Sequence, residues 1–195
     1  MPEDWIVELA ASPWLLPGVF ALVVLDAFVV VVPSETAVVA LGALAASTGA
    51  PSPWFVIPVA AVGAVIGDLA CYAIGRSAGL DRWAWQRRPS VARALARVRA
   101  TVERRTAVLV FTARYIPFAR IAVNLAAGAA HIPLGRYLPL SAAAGLAWAG
   151  FNTGMGAVVG SVFADQPLLA VAVSIPLAVM LGLSVDAVVR RTARP

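Results

Sequence analysis

Long apolar runs separated by short polar stretches are the main pattern of this chain. A helix needs about 20 mostly apolar residues to cross a bilayer, and the runs at 54–75, 137–163 and 168–189 are long enough. Two further runs, 14–46 and 106–130, each contain a proline well inside the run, and proline breaks or kinks a helix. The pattern predicts an all-α membrane protein that combines complete and broken membrane segments.

The broken segment 106–130 is predicted to enter the membrane and return on the same side. Pro117 divides it into two halves, and a helix of that length reaches only about the bilayer midplane. By the positive-inside rule, the arginine-rich stretch 76–105 and the C-terminal tail are both expected to be cytoplasmic. Three full crossings between these two basic regions would put them on opposite faces of the membrane. If 106–130 is a re-entrant hairpin, only two crossings remain and both regions are cytoplasmic.

The same interpretation of 14–46, which breaks at Pro33, makes the chain two inverted halves. Each half is then a proline-broken re-entrant hairpin followed by a spanning helix, and broken helices of this kind indicate the binding site in transporters. A plain crossing by 14–46 is the alternative. We expect one membrane domain over residues 1–195, with a further C-terminal transmembrane helix.

The composition is typical of a membrane protein, and its positive charge is concentrated in one part of the sequence. The chain is 61% hydrophobic and 13% charged, whereas soluble domains are about 45–50% apolar. All 15 basic residues are arginine, and none precedes Arg76. Nine of them lie in 76–105, where apolar residues at helical spacing predict an amphipathic helix on the membrane surface. We expect this cytoplasmic segment to contact anionic lipids rather than nucleic acid.

Motifs for enzymatic chemistry are missing from the sequence. It has no P-loop, no H-E-x-x-H and no G-x-S-x-G, so we expect a protein that is not an enzyme. We also expect no cofactor, with a proton gradient as the energy source. The chain has one cysteine and one histidine, which are too few for a Cys/His metal site. The enzyme alternative is a polyprenyl pyrophosphate phosphatase that uses His131 beside arginines.

Four charged residues lie inside the two broken segments and form the candidate site. Ionisable residues at membrane depth are costly, and by default they indicate function. Asp26 and Glu35 stand on either side of Pro33, and Arg114 and Arg120 flank the second break. A guanidinium binds phosphate through two parallel hydrogen bonds, whereas burial disfavours the charged form of a carboxylate. We therefore expect the arginines to bind a substrate phosphate and the acids to exchange protons. The structural alternative is a buried salt-bridge network alone.

Four other residues are accessory candidates. Asp68 lies near the predicted cytoplasmic end of its helix, where it either pairs with Arg76 or contributes to the site. Arg76 is either a headgroup ligand or an interface anchor. Asn124 follows Arg120 by one helical turn and is positioned to hydrogen-bond a phosphate. His131 is a candidate proton relay.

Three stretches carry a resemblance to a known family. They are the acid followed by Pro-Ser-Glu and ALGALAASTG, the stretch GDLACYAIGRSAG at 67–79, and FTARYIPFARIAVNLAAGAAHIPLGRYLPLSAAAGLAWAG at 111–150. Together, over about residues 20–155, they resemble the DedA family, also called VTT-domain or SNARE-associated proteins. Asp26 stands where many members carry glutamate, and His131-Ile132-Pro133 replaces the usual methionine-proline neighbourhood.

The resemblance implies paired re-entrant hairpins and a role in moving lipid carriers. Bacterial members are implicated in returning undecaprenyl phosphate, or a similar polyprenyl phosphate, across the cytoplasmic membrane with proton motive force. Eukaryotic relatives are associated with phospholipid scrambling. The family's essential acid pair corresponds to Asp26 and Glu35, and its arginine pair corresponds to Arg114 and Arg120.

We therefore predict a multi-pass flippase of the cytoplasmic (inner) membrane that moves a polyprenyl phosphate, is proton-coupled, and has a cytoplasmic C-terminus. The alternatives are a proton-coupled small-ion or drug transporter, a phospholipid scramblase, and a membrane organiser that transports nothing. No metal and no nucleic acid are expected as partners, and the sequence leaves a homo-oligomeric assembly open.

Overall fold

The computed structural model is all-helical in the part that it describes, which confirms the predicted all-α class. No strand occurs among the described residues. The described residues are 8, 12–29, 34–79, 86, 88–114, 119–163, 166, 168–174, 176 and 180. Their helices are α1 (Leu15–Asp26), α2 (Ser34–Thr48), α3 (Pro53–Ala78), α4 (Pro89–Ala113), α5 (Ala119–Ala129) and α6 (Leu134–Val162), and residues 168–174 are helical as well.

Proline and glycine set several of the helix ends. α3 begins with Pro53 and α4 with Pro89, since proline in the first turn loses no intrahelical hydrogen bond. Gly79, with a φ of 65°, ends α3, because glycine adopts positive φ without steric cost. Pro33 and Pro117, at the predicted breaks, lie outside the described residues. The flanking helices end and resume on either side of both positions.

α3 and α6 correspond to two of the three predicted spanning segments. α3 contains the whole predicted segment 54–75, and it is the one helix among the described residues that is both long and apolar enough to cross a membrane. α6 covers most of 137–163 but is less apolar, since it contains Arg136, Asn152 and several glycines. The predicted helix 168–189 lies largely outside the described residues.

The arginine-rich stretch and the first arm of the second broken segment form one helix with a kink. α4 continues through both segments, but Arg105 leaves helical geometry at φ −118° and ψ 23°. This kink lies beside the predicted boundary between 76–105 and 106–130. The polar part of α4 and its apolar part therefore point in different directions.

Each half of the chain packs against the other half. α2, from the first broken segment, packs along α6, and α5, from the second, packs along α3. α3 and α6 also contact each other. Glycine allows the backbones to touch, since Gly156 lies against the carbonyl of Val39 and Gly128 against that of Tyr72. A side chain at either glycine would overlap the facing backbone.

Two apolar clusters fill the spaces between the helices. The first joins α1, α2, α3 and α6, and the second joins α3, α4, α5 and α6. Trp148 belongs to the first cluster and Tyr137 to the second. Both residues lie on α6, so this helix borders both clusters.

Candidate functional site

Asp68 is the centre of a buried polar cluster. Its carboxylate accepts hydrogen bonds from Arg114 Nη2, Asn124 Nδ2 and Ser141 Oγ, each at 2.8 Å. The hydroxyl of Tyr137 donates to the Asn124 side-chain carbonyl at 2.8 Å. A carboxylate is stable in a protein interior only when it is paired and hydrogen-bonded. Asp68 therefore has the partners that its burial requires.

The Arg114–Asp68 ion pair is almost fully buried. The Arg114 side chain is 2% exposed and that of Asp68 is 3% exposed. Two guanidinium nitrogens of Arg114 reach the same Asp68 oxygen, at 2.8 and 3.4 Å. The guanidinium also lies 5.8 Å from the centre of the Trp148 ring, within the range of a cation–π contact. Arg114 is therefore held from two sides.

A second ion pair joins Arg120 to Asp26, with Nη2 2.9 Å from Oδ2. These side chains are 14% and 16% exposed, so the pair is partly accessible. Arg120 Nε is also 3.9 Å from Asp68 Oδ1. Arg120 therefore lies between two carboxylates and holds only one of them closely.

The helix dipoles oppose the charges of this second pair. Asp26 is the last residue of α1 and Arg120 is the second residue of α5. The C-terminal end of a helix disfavours negative charge, and the N-terminal end disfavours positive charge. The ion pair offsets both effects. Without Asp26, the start of α5 presents two positive features to an anion, namely Arg120 and the helix terminus.

Glu35 lies near this second pair without joining it. It is exposed in the first turn of α2 and makes no ion pair within the part of the chain that the structure describes. Its carboxylate interacts electrostatically with Asp26 and Arg120, and also with the side chain of Trp148. Glu35 is thus a further acid near the Arg120 guanidinium.

The structure brings the four predicted site residues into one region, but it pairs them differently from the prediction. Asp26 does pair with an arginine of the second broken segment, Arg120. Arg114 pairs instead with Asp68, which the sequence predicts only as an accessory residue. The predicted set of two acids and two arginines is therefore incomplete, because a third acid shares the site.

The alternative that Asp68 pairs with Arg76 is wrong. Eight residues along a helix correspond to about 12 Å of rise, which separates the two side chains. Arg76 instead donates to the hydroxyl of Tyr72 at 3.0 Å. His131 lies outside the cluster as well: it is exposed in the turn before α6, with a φ of 58°.

Asn124 belongs to the cluster, where its amide binds Asp68. Tyr137, Ser141 and Trp148 also contact members of this cluster, although the sequence alone does not predict them as site residues. The three lie four and seven residues apart on α6, a spacing that puts them on one helix face. That periodicity is the signal that identifies them. Among the described residues, no group of His, Cys, Asp and Glu is arranged to hold a metal.

A comparison with protein families gives one match. The family model described as the VTT domain matches residues 32–158. This range contains α2 to α5 and most of α6, and with them Glu35, Asp68 and both site arginines. No curated protein and no solved structure matches the chain.

Proposed function

This chain belongs to the VTT-domain family, which defines the DedA membrane proteins, and on that basis we propose that it transports a polyprenyl phosphate lipid across the cytoplasmic membrane. The proposed driving force is a proton gradient. Only the phosphate needs a polar path, since the hydrocarbon tail stays in the bilayer. The C-terminus and the arginine-rich start of α4 face the cytoplasm in this proposal, where anionic lipids attract them.

The observation that carries the proposal is the partly exposed ion pair between Arg120 and Asp26. A phosphate is a good competitor for Asp26, because it also binds a guanidinium through two hydrogen bonds. It gains further from the start of α5, since helix N-termini favour anions. Arg120 is therefore the proposed phosphate ligand, and Asp26 is the group that the phosphate displaces.

Charge balance supports the coupling to protons. The site holds three carboxylates, on Asp26, Glu35 and Asp68, and two guanidiniums. Asp68 accepts hydrogen bonds on both oxygens and holds Arg114, so we assign it a structural role. The acids left to exchange a proton are Asp26 and Glu35. A proton on Asp26 breaks its attraction to Arg120 and frees the guanidinium for phosphate.

The helix packing supports two inverted halves with re-entrant hairpins. The arm that follows each break, α2 or α5, packs along the long helix of the opposite half. Packing of each arm on the opposite half is expected when two similar halves enclose a shared site. In this proposal the Arg120–Asp26 ion pair joins the two broken segments.

Reconstitution tests the proposal. Purified protein in liposomes, with polyprenyl phosphate labelled in one leaflet, is expected to move the lipid faster when a pH gradient is applied. Arg120→Gln is expected to abolish the stimulation, whereas Arg93→Gln, which removes an exposed arginine on α4, is expected to leave it intact. Equal lipid movement by Arg120→Gln and the unmodified protein would exclude this site.

Three other results would assign the protein a different role. Counterflow of a small ion or drug without lipid movement would indicate a solute transporter. Movement of phosphatidylcholine at the same rate as polyprenyl phosphate, with no effect of the pH gradient, would indicate a scramblase. Absence of any transport, in protein that remains folded, would indicate a structural role for the charges.

A further inference from the structure

A cavity of about 450 Å³ opens beside the C-terminal part of α3. Its volume lies in the range of about 300–1,000 Å³ that is typical of ligand pockets. Its walls come from the last three turns of α3 and the first residue of α6. The lining residues are Leu69, Tyr72, Ala73, Arg76, Ser77 and Leu134.

The cavity combines apolar walls with one fixed positive charge. Most of its lining surface is apolar, and the charge comes from Arg76. The Arg76 guanidinium donates to the Tyr72 hydroxyl at 3.0 Å, and that hydroxyl donates to the Ile132 carbonyl at 2.6 Å. The Tyr72 ring is buried and stacks on Tyr137, with ring centres 4.7 Å apart. The Arg76 guanidinium is therefore hydrogen-bonded at the cavity to a buried and stacked tyrosine.

We propose that this cavity binds an anionic lipid, with the phosphate on Arg76 and the start of the hydrocarbon chain against Leu69 and Leu134. The lipid's phosphate matches the charge of Arg76, and its hydrocarbon chain matches the apolar walls. A soluble anion would leave the apolar walls exposed to water, and a neutral lipid would leave the guanidinium without an anion. An amphiphile with one phosphate satisfies both parts.

This site is separate from the one that carries the proposed transport. The cavity lining includes none of the three site acids and neither site arginine. The inference therefore goes beyond the proposed function, and it is tested by binding rather than by transport. A lipid bound here and a protein without flippase activity are compatible results.

Native mass spectrometry of the full chain in detergent measures the binding directly. Phosphatidic acid is the probe, and phosphatidylcholine and inorganic phosphate are the comparison ligands. We expect Arg76→Gln to weaken phosphatidic acid binding about tenfold, the usual size of a lost charged hydrogen bond. Arg93→Gln removes the same charge from an exposed position on α4. It measures how much the general charge of the arginine-rich surface contributes, and we expect it to weaken binding clearly less than Arg76→Gln does.

A second pair of variants tests the apolar part of the cavity. Ala73→Leu puts extra volume into the cavity, whereas Ala78→Leu adds the same volume to an exposed position outside it. We expect only Ala73→Leu to weaken phosphatidic acid binding, with both variants eluting as folded protein in size-exclusion chromatography. The loss of binding then cannot be a loss of fold.

Three results would overturn the proposal. Equal weakening by Arg76→Gln and Arg93→Gln would indicate only the general charge of the surface. Phosphatidylcholine bound as tightly as phosphatidic acid would exclude an anion site. Inorganic phosphate that displaces phosphatidic acid at equal concentration would indicate a free-anion site instead of a lipid site.

Discussion

The two ion pairs use the same residue types, an aspartate and an arginine, in different surroundings. Arg114–Asp68 is 2–3% exposed, and the aspartate also accepts hydrogen bonds from Asn124 and Ser141. Arg120–Asp26 is 14–16% exposed and has one close contact. The first pair is surrounded by partners that fix it, whereas the second is open to a competitor. Surroundings, rather than residue type, therefore separate an anchor from an exchangeable pair.

The largest expected effect comes from removing the buried acid. Asp68→Ala removes the carboxylate that pairs with the buried Arg114 guanidinium, and breaking a buried ion pair typically destabilises by about 3–5 kcal/mol. We expect a large loss of thermal stability in detergent, or failure to recover folded protein. Asp26→Ala is the matched comparison, since Arg120 retains Asp68 nearby. Equal stability of the two alanine variants would contradict the distinction between the pairs.

Lysine substitutions compare the two arginines. Arg114→Lys loses the two-nitrogen contact with Asp68 and is expected to cost about 2 kcal/mol. Arg120→Lys retains a single contact with Asp26 and is expected to cost less than about 1 kcal/mol. Thermal unfolding of both variants, measured side by side, checks the order. A larger loss for Arg120→Lys would reverse our assignment of anchor and exchangeable pair.

Ser141→Ala removes one neutral donor from Asp68. The remaining contacts with Arg114 and Asn124 still compensate the carboxylate, so we expect a loss of only about 1 kcal/mol. Ser161→Ala, at an exposed position on the same helix, is the control and is expected to change stability negligibly. A loss at Ser141 as large as that of Asp68→Ala would mean that this hydroxyl is essential to the cluster.

Asp26→Asn is expected to have the smallest effect on stability and a clear effect on transport. The amide keeps the shape and one acceptor, and Arg120 has a second carboxylate 3.9 Å away, so we expect a loss of less than about 1 kcal/mol. Because asparagine cannot take up a proton, lipid movement in liposomes should lose most of its response to a pH gradient. A normal response with Asp26→Asn would assign the proton to Glu35.

Much of the fold can be predicted from the sequence, because it follows from local rules. Apolar length predicts α3, and the proline positions predict that helices stop and resume between the paired arms. The kink at Arg105 is a different case. The residues on both sides of Arg105 favour helix. The only local signal of a bend is that the sequence changes there from polar to apolar.

The site was harder to predict, since its pairing depends on contacts between distant segments. Arg114 and Asp68 are 46 residues apart, and the sequence alone offers several acids for each arginine. Charge within an apolar run identified Asp26, Arg114 and Arg120 as members of one region. It did not identify their partners, because those depend on which helix faces meet.

The position of Arg120 bears on how fast the proposed exchange can be. Its Nε is already 3.9 Å from Asp68, so a rotation of the side chain transfers it from one acid to the other without moving a helix. Side-chain rotations are much faster than the microsecond-to-millisecond movements of packed helices. We expect the rate of turnover to be set by the passage of the lipid and not by the handling of charge.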